Sequence, residues 1–360
     1  MHPAAGGAEI HLHSIFSRIA KNGHQVVLLT TSFKNAKERE MVDDILVIRK
    51  GGDFLFQWTV LTQFPKLDKE FNFDIIYEDL NKLPLFLPLQ TKKPCLVQMH
   101  HLWRKSIFKE TNFFVAFGVY FFENIIPLFY KKELFAVVSP STKKELASLG
   151  IPEKNIALIY NGTSGTPENF IRKQEKKNYF LWLSRVHRYK GILVALEAFQ
   201  IFLQKNPDVR LKIAGNGPML KKLPRILQQM HLEKNVDLEG FVSKEKKQEL
   251  LSNAIALLQT SEKEGFGLTV IEAGELGTTT IASEVPGLVD SVLPEKTGIL
   301  FPVRNAKACA TCMERVYTDK ALRQTLEENA FAFAKTFDWD KAAKETEDLL
   351  IQIHAKRQFL

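Results

Sequence analysis

Residues 255–273 read IALLQTSEKEGFGLTVIEA. The apolar run Ile255–Gln259 has the pattern of a buried strand, Gly265 and Gly267 punctuate a turn, and a helix opens at about Phe266. A strand feeding a helix through a glycine turn is the repeating unit of a parallel sheet covered by helices. That reading leaves Glu264 in the loop and Glu272, eight positions later, nearly two turns into the helix. Gly265, Phe266, Gly267 and Leu268 then present first-turn amides. Such amides suit phosphate, and carboxylates suit sugar hydroxyls by accepting their hydrogen bonds. The competing reading is a capping acid followed by a surface glutamate. The glycines oppose it, because they cost helix stability unless a close backbone approach is needed.

Similar units extend on both sides. Strands are expected at Tyr179–Leu183, Val209–Ala214, Val236–Leu238, Thr279–Ala282 and Gly298–Phe301, and the pattern is helical after Asn305. Upstream, Leu12, Ile15, Phe16 and Ile19 mark an amphipathic helix stopped by Gly23. Apolar runs at Val26–Thr30, Ile45–Ile48, Asp74–Tyr77, Cys95–Met99, Phe135–Val138 and Ile156–Ile159 read as strands of one sheet. The stretch 166–178 lacks apolar runs and reads as a linker. The organisation is therefore a domain at 1–165, a linker at 166–178, a second domain at 179–337 and a C-terminal helix at 338–360 returning toward the first. Two doubly wound domains put ligands at the carboxyl ends of their strands, in a cleft between facing edges.

The strand Tyr179–Leu183 leads into Ser-Arg-Val-His-Arg-Tyr-Lys-Gly, which sets Arg185 and Lys190 at the mouth of a strand-to-helix loop. Two cations there can hold a diphosphate and neutralise charge as it leaves, and His187 and Arg188 add to the field. A solvated basic loop is the plainer alternative.

The 360 residues carry a net charge of +8 with 45% hydrophobic and 25% charged residues, which excludes a disordered, collagenous or coiled-coil chain and favours an anionic partner. The cations spread over both halves without a basic helix or stacking platform, so nucleic acid fits poorly. Three cysteines cannot supply a disulfide framework and suit a reducing compartment. Cys309 and Cys312 form a C-x-x-C within a helical pattern, Ala306 to Tyr317, and read as helix packing. The N-terminus lacks the pattern of a signal peptide, so Asn161 in its N-x-T is not expected to be glycosylated.

Phenylalanine is abundant, with 27 copies. The apolar stretch Phe113–Phe122 is interrupted by Glu123 and Asn124, too short to span a membrane. Six basic residues and no acid lie between Lys82 and Lys109 (Lys82, Lys92, Lys93, Arg104, Lys105, Lys109). Basic residues beside an aromatic segment can rest on anionic lipid. A buried helix after a solvated loop is the favoured reading.

Together, Arg185/Lys190 and, about 75 positions later, E-G-F-G-L-x-V-I-E resemble the nucleotide-sugar site of retaining glycosyltransferase family 4 (glycosyl transferases group 1). The resemblance runs from Gly6 to the C-terminal helix. Gly6-Gly7-Ala8-Glu9 resembles the family's N-terminal glycine loop, Asn161-Gly162 its N-G pair, and Ala214-Gly215-Asn216-Gly217-Pro218 its A-G-x-G-P. Gly240-Phe241-Val242 resembles the stretch lining the base, and Ser283 to Leu288 a late signature. The resemblance implies the GT-B fold, two Rossmann-like domains facing a central cleft. It assigns Arg185 and Lys190 to the donor diphosphate, Glu272 to the ribose hydroxyls and Glu264 to the donor sugar. The amides of Phe266, Gly267 and Leu268 would lie along the phosphates and sugar, and Gly7, Gly215 and Val242 join the donor-binding set. His100, after the strand Cys95–Met99, resembles the family's histidine near the transferred sugar, with His101 as its rival. The histidine pair could also hold a metal, but no Asp or Glu is spaced for one nearby, and the family needs neither metal nor cofactor.

The implied activity is metal-independent, retaining transfer of a hexose from a nucleotide-diphosphate sugar to a glycan or lipid-linked acceptor. Peripheral contact with an anionic membrane would accompany it, in cytoplasmic polysaccharide synthesis. The alternative is an inactive nucleotide-sugar-binding module of the same fold; another cleft enzyme, such as a sugar-nucleotide epimerase, is a third reading. Two departures, Glu275 for a small residue and Thr279 for a proline, put local stability in question. Only five residues precede Gly6, where the family has a first strand. Either that strand is encoded upstream of Met1 or the N-terminal sheet lacks its central member.

Overall fold

Two units share the chain in an interrupted order. Residues Met1–Arg104, Phe117–Gly162 and Asp338–Leu360 build the first, and Lys105–Ala116 and Thr163–Phe337 the second. The structure, a computed structural model, describes residues 6–52, 56–81, 83–163, 165, 170, 172 and 175–357. Most of the expected linker, and Lys82, lie outside the described residues. At the linker's end the Lys176 ammonium donates to the carbonyls of Ser252 (3.0 Å) and Gly277 (2.7 Å).

In chain order the first unit contains α1 (Gly7–Lys21), β1 (Val26–Thr30), β2 (Arg39–Val42), β3 (Ile45–Arg49), α2 (Phe56–Phe71), β4 (Ile76–Leu80) and β5 (Cys95–Met99). Helix α3 (Phe113–Tyr130) then begins in the segment assigned to the second unit. β6 (Leu134–Val137), α4 (Pro140–Leu149) and β7 (Ile156–Leu158) follow. The six expected strands are present, with the third displaced to Ile76–Leu80. They do not form one sheet. β1 pairs parallel with β3, which pairs antiparallel with β2; β4, β5, β6 and β7 form a separate parallel sheet. The hairpin β2–β3 escaped the sequence reading because its turn is Asp43-Asp44, both with positive φ, rather than a glycine turn.

Both small sheets contribute to the same apolar layers. Val26 and Leu28 of β1 pack into the cluster that holds Tyr77 and Leu96, and Leu29 into the one that holds Phe64 and Val97. All five β1 side chains are nevertheless only half-buried, whereas all five on β5 are buried. Among the described residues β1 and β4 each pair with one strand, β1 with β3 and β4 with β5.

The second unit contains β8 (Tyr179–Leu183), α5 (Ile192–Leu203), β9 (Arg210–Ala214), α6 (Leu223–Gln229), β10 (Val236–Gly240), α7 (Lys244–Asn253) and β11 (Leu257–Gln259). It continues with α8 (Leu268–Glu275), β12 (Thr280–Ser283), α9 (Leu288–Ser291), β13 (Gly298–Phe301), α10 (Ala306–Thr318) and α11 (Lys320–Ala334). Its six strands form one parallel sheet in the order β10-β9-β8-β11-β12-β13. Counted within the unit this is 3-2-1-4-5-6, the doubly wound order whose switch point falls between the first and fourth strands, here β8 and β11. Cys309 and Cys312 sit in the apolar core on α10, where burial pushes the Cys309 thiol far above its usual range, so neither is poised for redox chemistry.

The last helix, α12 (Trp339–Arg357), belongs to the first unit. Trp339, Ala342, Ala343 and Leu350 pack with Ile15, Phe16 and Ile19 of α1. A further expectation is overturned: α3 is not a buried helix. Its exposed aromatics are taken up below.

Candidate functional site

At the switch point of the second unit, the loops after β8 and β11 are tied together by a threonine. Thr260 Oγ1 accepts from the Trp182 indole (3.1 Å) and donates to the Gly191 carbonyl (2.8 Å). Gly191, at φ +71°, lies so close that a Cβ there would come within 1.9 Å of the Thr260 carbonyl oxygen. Only glycine allows this crossing, and the crossing carries Lys190 toward the β11 loop. Lys190 Nζ stands 2.5 Å from Glu264 Oε1, and Ser261 Oγ donates to the same oxygen at 2.7 Å. The Lys190 side chain is largely buried and its ammonium rests 5.0 Å from the Tyr189 ring centroid.

Arg185 is exposed, and its guanidinium donates to the Tyr189 hydroxyl at 2.8 Å. Sequence reasoning missed what holds this loop from outside. Glu110 Oε1 accepts the Tyr189 amide (2.8 Å), and Glu262 accepts Lys109 (2.7 Å) and Arg304 (2.9 Å). Burial raises the pKa of both carboxyls, Glu110 and Glu262. These partners are remote in sequence, and no local pattern marks them.

α8 begins at Leu268, two residues later than expected, because Gly267 adopts φ +87° and caps the helix. Phe266 therefore lies in the loop, buried, with its ring 5.3 Å from that of Phe337. Glu272 is paired with Lys247, Oε1 to Nζ 2.6 Å. On the other side of β8, Gly215 follows β9 at φ +134°, and a Cβ there would lie 1.8 Å from the Ser184 carbonyl oxygen. Its amide donates to Gly240 at the end of β10 (2.7 Å). Val242 is half-buried against the Leu183 and Ala214 cluster, while Phe241 beside it is exposed. Both departures from the family pattern are satisfied: buried Glu275 accepts from the Thr163 hydroxyl, and Thr279 donates to the Thr297 carbonyl (3.0 Å).

In the first unit, Gly7 opens α1, with the Gly6 amide held by Glu9 (2.8 Å). His100 follows β5 and is buried. Contrary to the sequence reading, a carboxylate is close: Asp79 Oδ1 lies 3.2 Å from His100 Nε2, within ion-pair range though not aligned as a hydrogen bond. The His11 ring meets His100 edge-on at 4.8 Å. His11 Nδ1 lies 2.6 Å from Asn161 Oδ1 and its Nε2 3.2 Å from the Tyr77 hydroxyl. Burial, then the charge of His100, lowers the His11 pKa to about 4. His101 is half-buried, its ring 5.0 Å from Trp103. Among the described residues no cluster of three His, Cys, Asp or Glu side chains is placed to hold a metal.

Residues 167–333 match the family model of glycosyl transferases group 1, and residues 5–164 that of glycosyltransferase family 4. The chain is 30% identical to an uncharacterized glycosyltransferase of Methanocaldococcus jannaschii over 224 residues, 58% of this chain and 57% of that one. It is 22% identical to one of the subunits of human phosphatidylinositol N-acetylglucosaminyltransferase, over 96% of this chain and 73% of that one. Its match spans roughly half or less of the length of the first curated relatives. Among solved structures, sucrose-phosphate synthase from Thermosynechococcus elongatus superimposes with a TM-score of 0.81 at 22% identity, covering 98% of this chain and 94% of that one. Anabaena HepE in complex with UDP-glucose gives 0.73 at 19%, covering 100% and 98%. At these identities the structural likeness establishes the fold.

Proposed function

Since the chain belongs to the group 1, family 4 glycosyltransferases, we propose that it transfers a hexose from a nucleotide-diphosphate sugar to a glycan or lipid-linked acceptor, retaining the anomeric configuration and using no metal. The observation that carries this reading is the meeting of Lys190 and Glu264 at the switch point of the second sheet, beside the first turn of α8.

The donor diphosphate binds against Arg185, Lys190 and the amides of Phe266, Gly267 and Leu268. The tight turn at Gly215 lets the chain pass close to it, Val242 flanks the base, and Glu272 takes the ribose hydroxyls. Glu264 accepts from hydroxyls of the sugar, and His100 and Gly7 are the first unit's own candidates for a sugar-contacting and a substrate-binding role. The bond from the anomeric carbon to the diphosphate oxygen breaks, and its electron pair stays with the diphosphate, where the two cations stabilise it. The acceptor oxygen bonds to the anomeric carbon on the face the diphosphate leaves, and the acceptor proton passes to the departing phosphate. The crystallised HepE complex contains UDP-glucose, which makes UDP-sugars the first donors to test. The reaction runs at the cytoplasmic face of an anionic membrane, in polysaccharide or glycolipid synthesis.

A thermal-shift panel of UDP-, GDP- and ADP-sugars tests donor binding, because a ligand of the native state raises its apparent stability. Sugar transfer to an added acceptor tests the reaction. We expect one nucleotide class to raise Tm and to support transfer. Binding without turnover across a broad acceptor panel would replace the proposal with an inactive nucleotide-sugar-binding module.

A further inference from the structure

Helix α3 reads FFVAFGVYFFENIIPLFY, apolar on every side, and a helix of that kind is normally enclosed. Here only one face is. Ala116, Val119, Glu123, Ile126 and Tyr130, spaced three and four apart, are buried. The Glu123 carboxylate accepts the amides of Trp103 (2.6 Å) and Arg104 (2.8 Å), which fixes that face against protein. The opposite stripe is open: Phe114 is 84% exposed, Phe117 54%, Phe121 50% and Leu128 77%. An exposed apolar stripe of this kind, crossed by Asn124 between Phe121 and Leu128, marks a contact surface.

Lys131 and Lys132 follow the helix and Lys105 precedes it, all exposed, and its sole acid is the buried Glu123. Beside its C-terminal end Leu128, Phe129, Leu89, Lys92, Lys132 and the half-buried Glu133 line a depression of about 830 Å³, cations outnumbering the one acid. Pairing with a second copy would bring these cations against cations in either orientation. An anionic surface complements them, and phenylalanine side chains suit the boundary between headgroups and acyl chains. α3 is long and apolar enough by composition to cross a membrane, but its Glu123 face is committed to protein. We infer that the Phe114, Phe117, Phe121 and Leu128 stripe of α3 inserts side-on into the interface of an anionic lipid bilayer, with Lys131 and Lys132 on the headgroups. This deepens the reading of a membrane-borne acceptor and rests on it for its purpose, although the docking itself needs no activity.

The test is flotation of the full chain with vesicles of phosphatidylcholine containing phosphatidylglycerol, and with phosphatidylcholine alone. We expect flotation with the anionic vesicles, weakened by salt. We expect at least a tenfold loss for Phe114→Ser/Phe121→Ser/Leu128→Ser and a smaller loss for Lys131→Glu/Lys132→Glu. Phe121→Trp provides a gain of signal, its emission shifting to the blue when anionic vesicles are added. No flotation of the wild type, or flotation of the triple variant equal to it, would overturn the inference. So would a wild-type dimer that the triple variant abolishes, since the stripe would then belong to a second copy. Thermal shift with UDP-glucose on the same samples keeps the two proposals apart: a wild type that binds donor but does not float condemns the docking surface alone, and a wild type that floats but binds no donor condemns the donor reading alone.

Discussion

Lys190 Nζ and Glu264 Oε1 lie 2.5 Å apart, so the cation assigned to the leaving diphosphate and the carboxylate assigned to the sugar are ion-paired with each other. A diphosphate must compete with Glu264 for Lys190. We expect Lys190→Ala to lower kcat by roughly 10²- to 10³-fold, the range seen when a group stabilising developing charge is removed. Glu264→Gln should separate the two roles: UDP alone binds more tightly, because the competing charge is gone, while transfer falls. Calorimetric titration with UDP and a transfer assay measure both, and weaker UDP binding by Glu264→Gln would contradict the competition.

The approach of Gly191 to Thr260 predicts a second result. Gly191→Ala forces a Cβ against the Thr260 carbonyl at a positive φ, strain on the order of 1–3 kcal/mol before any clash is counted. We expect Tm to fall by several degrees and donor affinity with it, since Lys190 is the preceding residue. A variant with wild-type Tm would show that the loop has another way to close.

Two buried groups in the first unit give opposite pH dependences. His11 has its folded pKa lowered from 6.5 to about 4, so its contribution to stability is present above pH 6.5 and lost as pH falls toward 4. Glu78 is raised from 4.5 to about 7 by burial, which outweighs its hydrogen bonds to Tyr130 and Leu85. Its contribution is full below pH 4.5 and lost as pH rises toward 7. Denaturant midpoints measured across pH 4–8 should show that Glu78→Gln flattens the loss between 4.5 and 7 and leaves the acid side unchanged. An unaltered profile would mean that Glu78 is ionised throughout.

Among the described residues β1 and β4 each have one edge without a strand partner, and such an edge is a template for further pairing. We expect light scattering to rise with protein concentration, and to do so in the α3 triple variant as well, because backbone pairing does not depend on that stripe. A chain that stays monomeric at roughly millimolar concentration would show that the edges are protected.

Much of this was legible in local pattern. Strand runs such as Tyr179–Leu183 and Cys95–Met99 fell at the stated residues because buried parallel strands are continuously apolar. The Lys190 and Glu264 loops were found because glycines mark where backbone must turn or approach. What escaped was set by tertiary neighbours. Asp79 beside His100, Glu110 beneath Tyr189 and the exposure of α3 depend on which surfaces meet, and a helix with apolar residues all round carries no sequence mark of the face left open. The division of the first unit's strands between two sheets was not legible in their apolar runs, and the antiparallel hairpin was hidden by an Asp-Asp turn.

The position of α12 orders events during synthesis. The second unit's main segment, Thr163–Phe337, is complete once Phe337 has emerged, but the first unit still lacks the helix that covers Ile15, Phe16 and Ile19. The part of the chain made first is thus the part finished last, and it must wait with an uncovered apolar face while the later unit forms. A chain stopped after Phe337 should keep a protease-resistant 175–337 core and lose its N-terminal half to digestion; equal resistance of both halves would show that the first unit closes without its last helix.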